Sequence, residues 1–312
     1  MTESVKVAVV QAAPVLFNKD ATIDKIAELV PKAAAKGAQL VLFPESFIPC
    51  YPRGMSFGAN VGKRTEEGRK DFRRYYENSI DVPGPDSDRL GQIAADSNVY
   101  LVVGVMEREY GTLYCCVVFY GPDGTLLGKH RKLMPTGSER LIWGRGDGST
   151  MPAIKTPFGT MGAVICWENY MPMLRAAMYG KDVAIYLAPT ADSRDTWQST
   201  IQHIAIEGRC FVLGCNQFVT KDMYPKDILE RGELDGEPDI MCRGGSAIID
   251  PLGRYVCEPL YNKEGMLIAE LDMGIRAEGQ YDFDVCGHYA RNDIFTLVVD
   301  ERAKTGFETI ED

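Results

Sequence analysis

The 312-residue chain has no uninterrupted apolar run near the ~18 residues that a membrane-spanning helix needs, so no such helix is expected. Its first residues, Met1-Thr2-Glu3-Ser4-Val5-Lys6, lack a basic segment followed by an apolar one, and no secretory signal is expected there. No Asn-x-Ser/Thr acceptor and no Cys-x-x-Cys pair occur. The nine cysteines are odd in number and scattered, which argues against a disulfide framework and for a reducing, cytoplasmic setting. Histidine is scarce: His130, His203 and His288 lie far apart, without the paired spacing of a zinc site. A basic surplus is also missing. Forty-four acidic against 34 basic residues give a net charge of −10, which argues against a nucleic-acid partner. What is present is ordinary: 45% hydrophobic and 25% charged residues, the composition of a folded globular protein.

The hydrophobic pattern alternates strands with helices and interleaves hairpins. Val5 to Val10 reads as a buried strand, and apolar residues at helical spacing mark a helix over 20–36, with a kink or boundary expected at Pro31. Leu40 to Phe43 is a strand ending at Pro44-Glu45; a helix over 87–97 precedes the strand Tyr100 to Met106. Gly121-Pro122-Asp123-Gly124 joins two strands into a hairpin, because proline presets φ and glycine accepts positive φ. A polar loop is expected from Lys132 to about Met151, then a hairpin turning at Pro157-Phe158-Gly159 whose second strand delivers Cys166. Helices near 172–179 and 196–209, strands at 183–187 and 211–216, and a third hairpin turning at Asp250-Pro251-Leu252-Gly253 complete the reading. No Pro/Gly/Ser-rich linker divides the chain, so one domain over 1–312 is expected, with a C-terminal extension from about 273.

Several motifs fail on inspection. Gly124 to Lys129 has three residues between its glycines rather than the four of a phosphate loop, and it lies in a hairpin. Gly144-Arg145-Gly146-Asp147-Gly148 follows no strand, and Gly244-Gly245-Ser246-Ala247-Ile248 lacks the last glycine of a serine nucleophile elbow.

Three strand ends carry reactive residue types: Glu45, Lys132 and Cys166. Strand ends are rigid and converge readily, so a thiol, a carboxylate and an ammonium placed there can cooperate. Each taken singly reads more readily as a buried thiol, a capping or ion-paired acid, or a solvated base.

Together with their flanks they resemble the nitrilases of the carbon–nitrogen hydrolase superfamily. The stretches that carry the likeness are Phe43 to Gly54, His130 to Thr136 with Glu139-Arg140, Cys166 to Pro172, and Ala188 to Arg194. The helix from Thr196 to Cys210 completes the set. Cys-Trp-Glu, at Cys166-Trp167-Glu168, is the most specific of them. The resemblance implies an α/β fold, a four-layer α-β-β-α sandwich. It further implies a site of Glu45 as base, Lys132 and Cys166, with Glu139 as a second glutamate, and no cofactor or metal. The implied reaction is hydrolysis of a nitrile to a carboxylic acid and ammonia through a cysteine thioimidate. An amidase or carbamoyl hydrolase using the same thiol is the alternative. Tyr51, Trp167, Thr190 and Ala191 adjoin the strand ends and are expected to bind substrate; Trp143 and Trp197 read as packing residues. His130 is either a support for Lys132 or a structural histidine.

Two polar stretches carry opposite charge: six bases and three acids over 63–74, three bases and seven acids over 221–239. Among nitrilases, insertions at such positions accompany growth of dimers into spirals or larger homo-oligomers. The expectation is that the basic stretch of one dimer meets the acidic stretch of the next.

Overall fold

The computed structural model describes residues 3–304. Two β-sheets lie face to face with helices on both outer faces, the expected α-β-β-α sandwich. The first sheet has six strands in the order Gly265–Asp272, Ser4–Gln11, Leu40–Leu42, Tyr100–Glu109, Thr112–Tyr120, Leu126–Arg131. In the second, the order is Phe218–Thr220, Ile240–Ile249, Phe211–Asn216, Val183–Thr190, Gly159–Ala163, Ile154–Thr156, with Tyr255–Tyr261 also paired to Ile240–Ile249.

Strand periodicity sorts the side chains into layers. Val5, Val7 and Val9 point inward with Leu40 and Leu42 and meet Ile185, Leu187, Phe211 and Leu213 of the opposite sheet. Ala8 and Val10, on the other face of the same strand, pack on Ile23, Ile26 and Val30 of the helix Lys19–Ala34 and on Leu90 and Ala94 of the helix Pro85–Ser97. The second sheet repeats the arrangement: Val164, Tyr186, Ala188 and Val212 face Leu174 and Met178 of the helix Pro172–Gly180 and Trp197, Ile201 and Ile204 of the helix Asp195–Gly208. Runs buried on both faces are continuous apolar sequence rather than alternating.

Local expectations need four adjustments. The first helix continues three residues past Pro31, whose missing N–H falls in the last turns. The strand Gly265–Asp272, not marked by pattern, pairs antiparallel with Ser4–Gln11 and ties the two ends of the fold together. Between Lys132 and Met151 the backbone forms 3-10 turns at Gly137–Leu141 and Gly148–Thr150. Residues Glu66–Glu77 form a helix, capped by Thr65 Oγ1 accepting from the Gly68 N–H at 3.0 Å. The Thr-Glu-Glu start was the legible signal, hidden by a face that buries only Gly68, Asp71 and Tyr75.

That helix also carries charged contacts within the chain. Arg74 pairs with Asp227 at 3.1 Å and Arg231 with Asp71 at 2.9 Å, so the basic and acidic stretches meet within one chain. Residue Ser56 ties the same region to Glu233 through its N–H and hydroxyl.

Candidate active site

Glu45 follows the strand Leu40–Leu42 through a turn in which Ser46 adopts φ 49°. That turn lies directly on Gly104: a Cβ there would stand 2.1 Å from Pro44 O and 2.7 Å from Glu45 Cα. The Gly104 carbonyl in turn accepts from the N–H groups of Phe47 at 2.8 Å and Ile48 at 3.2 Å. Gln217 Nε2 donates to the Glu45 carbonyl at 2.8 Å from the opposite sheet.

Cys166 leaves its strand at φ 51°, in the left-handed region that costs a non-glycine residue roughly 1–2 kcal/mol. The turn is held by Asn169, whose Nδ2 donates to Val164 O at 2.9 Å and Cys166 O at 2.7 Å. Its effect is to lift the sulfur out of the sheet while the following residues enter a 3-10 turn, whose leading N–H groups lack helical acceptors.

Lys132, fully buried, sits between two carboxylates: its Nζ donates to Glu45 Oε1 at 2.7 Å and to Glu139 Oε2 at 2.8 Å. The Trp143 ring lies 5.5 Å from the same ammonium. Glu139 also accepts from the Thr136 N–H at 2.6 Å and from the Tyr51 hydroxyl at 2.7 Å. The polar loop therefore delivers a buried carboxylate, not a solvated one.

Electrostatics follow from this crowding. Burial, reinforced by Glu139, holds the Glu45 carboxyl above its ordinary value although Lys132 opposes the shift. Burial pulls the Lys132 ammonium down, yet the facing carboxylates win and keep it charged. Burial and then Glu45 push the Cys166 thiol up to about 12, against Lys132, so the resting thiol is protonated. Glu45 Oε2 is buried without a partner and is the oxygen free to receive that proton.

A cavity of about 280 Å³ opens beside the sulfur, lined by Tyr51, Arg53, Glu139, Cys166, Trp167 and Ala191, among others. Three of the four expected substrate contacts, Tyr51, Trp167 and Ala191, are on its wall. Thr190 is not: it is fully buried, and its hydroxyl donates to Cys166 Sγ at 3.1 Å and accepts from the Asp192 N–H. It sits under the sulfur at the last position of the strand Val183–Thr190. Trp167 is oriented by Asp192, which accepts from its indole N–H at 2.8 Å, and by Arg194, stacked 4.6 Å from its ring. His130 does not touch Lys132; its ring nitrogens face Thr150 O and Glu168.

Sequence reasoning missed three residues here. Arg53, on the cavity wall over Tyr51 at 5.3 Å, has no ion-pair partner among the described residues. Cys115 approaches Glu45 Oε1 at 3.6 Å. Glu168, read only as part of a motif, is a buried bridge. Cys115 carries no local pattern that separates it from ordinary packing, and Arg53 and Glu168 stand out only as members of family-like stretches.

The family model described as carbon-nitrogen hydrolase matches residues 6–279. The chain belongs to the carbon–nitrogen hydrolase family. An aliphatic nitrilase of Sinorhizobium fredii is 53% identical to this carbon–nitrogen hydrolase over 305 residues, 97% of this chain and 98% of the relative. A bifunctional nitrilase/nitrile hydratase of Nicotiana tabacum, NIT4B, is 52% identical over 97% of this chain and 88% of its own. Those relatives place this carbon–nitrogen hydrolase among the nitrilases. A solved carbon–nitrogen hydrolase of Helicobacter pylori shares the fold at a TM-score of 0.73 and 21% identity, covering 94% of this chain and 97% of that one.

Proposed function

We propose that this protein is a nitrilase that converts an organic nitrile and two waters into a carboxylic acid and ammonia. The observation that carries the reading is Lys132 held between Glu45 and Glu139, whose charges all act on the Cys166 thiol, in a chain half identical to nitrilases. Glu45 takes the thiol proton as sulfur attacks the nitrile carbon, since a buried thiol held near 12 reacts only when a base relieves it. Lys132 and the Trp167 N–H stabilise the charge that develops on nitrogen, in a site whose low dielectric strengthens them. The thioimidate adds water activated by Glu45; the tetrahedral intermediate expels ammonia, and the resulting thioester is hydrolysed to the acid. If the thiolate leaves the tetrahedral intermediate first, the product is the amide, so some amide accompanies the acid. Glu139 holds Lys132 in place and supplies the second negative charge that keeps Glu45 basic.

The reading takes residues 1–312 as one catalytic unit, with an extension from about 273. Its support is the shared inner core of both sheets and the pairing of Gly265–Asp272 with Ser4–Gln11. The free cysteines favour a cytoplasmic setting, and among the described residues no helix is long and apolar enough to cross a membrane. Self-association into dimers and larger homo-oligomers, with the basic stretch of one dimer meeting the acidic stretch of the next, remains part of the proposal.

The deciding experiment follows ammonia, acid and amide from a panel of aliphatic, aryl, arylacetonitrile and amino-nitrile substrates and from the matching amides. Ammonia from nitriles, abolished in Cys166→Ala, is the expected result. Turnover of amides alone would assign an amidase or carbamoyl hydrolase instead.

A further inference from the structure

Glu168 is buried at the junction of the two sheets and makes a bond to each. Its Oε1 accepts from the N–H of Leu133 at 2.6 Å, and its Oε2 accepts from the N–H of Ile165 at 2.9 Å. Leu133 is the residue after Lys132, at the end of a strand of the first sheet; Ile165 is the residue before Cys166, at the end of a strand of the second. One carboxylate thus sets the separation of the two chain segments that present the ammonium and the thiol.

The carboxylate is completed by His130. Its Nε2 lies 3.0 Å from Glu168 Oε2 and its Nδ1 lies 2.6 Å from Thr150 O. Both neighbours are acceptors, so the ring satisfies both only when both nitrogens carry protons. The other groups facing the pair are Lys181, whose charge opposes protonation of His130, and Tyr186, buried beside Glu168 on the strand Val183–Thr190. Burial pulls His130 down, but the charge and hydrogen bond of Glu168 and the Thr150 carbonyl prevail and raise it above the usual histidine value.

We propose that the His130–Glu168 pair is a protonation-dependent clamp that positions Lys132 and Cys166 relative to each other. The doubly protonated ring is present below the ordinary histidine range and is lost as pH rises through its raised value. A neutral ring keeps its proton on Nδ1 for Thr150 and turns a lone pair toward Glu168 Oε2. The repelled carboxylate then loosens its hold on the Ile165 N–H, and the sulfur moves against the ammonium. Displacements on the order of 1 Å at a reacting centre cost ~100-fold in rate, so turnover, not substrate binding, registers the change. Neither residue touches substrate; both are positioning residues. The proposal rests on the nitrile-hydrolysis reading.

The test compares pH profiles of kcat and KM for wild type, His130→Gln, His130→Ala and Glu168→Gln. The side-chain amide introduced by His130→Gln offers Glu168 an N–H donor that does not titrate. The amide introduced by Glu168→Gln has a single oxygen and accepts from only one of the two backbone N–H groups in the native geometry. Wild type is expected to lose kcat through a single proton as pH rises through a value above the ordinary histidine one. His130→Gln should turn over faster than His130→Ala and lack that limb. Glu168→Gln should lose kcat by ~100-fold with KM nearly unchanged, as misplacement predicts. An alkaline limb that persists unchanged in His130→Gln overturns the proposal, as does normal turnover in Glu168→Gln whatever its melting temperature. Nitrogen NMR of the histidine ring in wild-type protein gives an arm independent of variant folding: His130 must titrate as an imidazolium above the ordinary histidine value, and a ring that loses its proton at or below that value also overturns it. Absence of ammonia from every nitrile would sink the nitrilase reading instead, and the NMR arm tells the two failures apart.

Discussion

At the scale of single residues, chemistry here depends on charges that water does not solvate. Lys132 faces two carboxylates, so removing one leaves the set unbalanced rather than simply weaker; breaking a buried pair typically costs about 3–5 kcal/mol. Glu139→Gln keeps the shape and one acceptor but removes the charge that steadies Lys132. It is expected to lower kcat by ~100-fold or more, within the range of lost transition-state electrostatics, while the protein still unfolds cooperatively. Near-normal turnover would return Glu139 to a scaffolding role. The pH dependence has a definite sign. Glu45 must be ionised to take the thiol proton, and burial raises its value, so the acid limb of kcat/KM lies above the ordinary carboxylate range. Because the folded state binds that proton more tightly than the unfolded chain, stability falls as pH rises from the usual carboxylate value through the raised one. Glu45→Gln should abolish turnover and flatten that fall, read by thermal melts across pH. The apparent values belong to the coupled Glu45–Cys166–Lys132 set rather than to one residue.

At the scale of elements, the site is built by close backbone approach. The central strand Tyr100–Glu109 carries Gly104 against the Glu45 turn, and the space there excludes a methyl group. Gly104→Ala is expected to destabilise by about 1–3 kcal/mol through overpacking and to lower kcat far more than a neutral surface change, because the carboxylate itself is displaced. An unchanged melting temperature with full activity would show that the turn can yield. The helix Glu66–Glu77 makes a second case. Asp71, buried in it, receives Arg231 at 2.9 Å, so Asp71→Asn should cost about 1–3 kcal/mol, the worth of a hydrogen bond to a charged group. Denaturant unfolding checks this, and catalysis at saturating nitrile should change little. Neither element's role follows from its own sequence: Gly104 looks like any glycine in a strand, and the helix is polar on most of its surface.

At the scale of the whole molecule, part of the charge is paired within the chain. Arg74–Asp227 and Arg231–Asp71 join the stretches at 63–74 and 221–239, while Lys63, Lys70, Glu230, Asp235 and Asp239 stay exposed. An exposed pair such as Arg74–Asp227 contributes ~0–1 kcal/mol and weakens with salt. Arg74→Glu should therefore shave stability only slightly, by thermal melts. If the remaining exposed charges join dimers, particle size falls from low to molar salt by light scattering; unchanged size removes that contact.

What was legible in the sequence was whatever short-range physics determines. Period-two and period-3.6 apolar patterns mark most strands and helices, since each must bury one face or both; turn residues mark the hairpins; and Glu45, Lys132 and Cys166 stand at strand ends with family-specific flanks. Glu139 was legible only through that resemblance, because a charged loop residue looks solvated until the loop is folded. The tertiary structure alone decided the rest. Thr190 went beneath the sulfur instead of onto the cavity wall, and Gly104 became the seat of the Glu45 turn. His130 was assigned to Glu168, and Glu168 to both sheets at once. Each of these depends on contacts between residues tens of positions apart, and no local pattern encodes which of many buried polar groups will meet when two sheets close on each other.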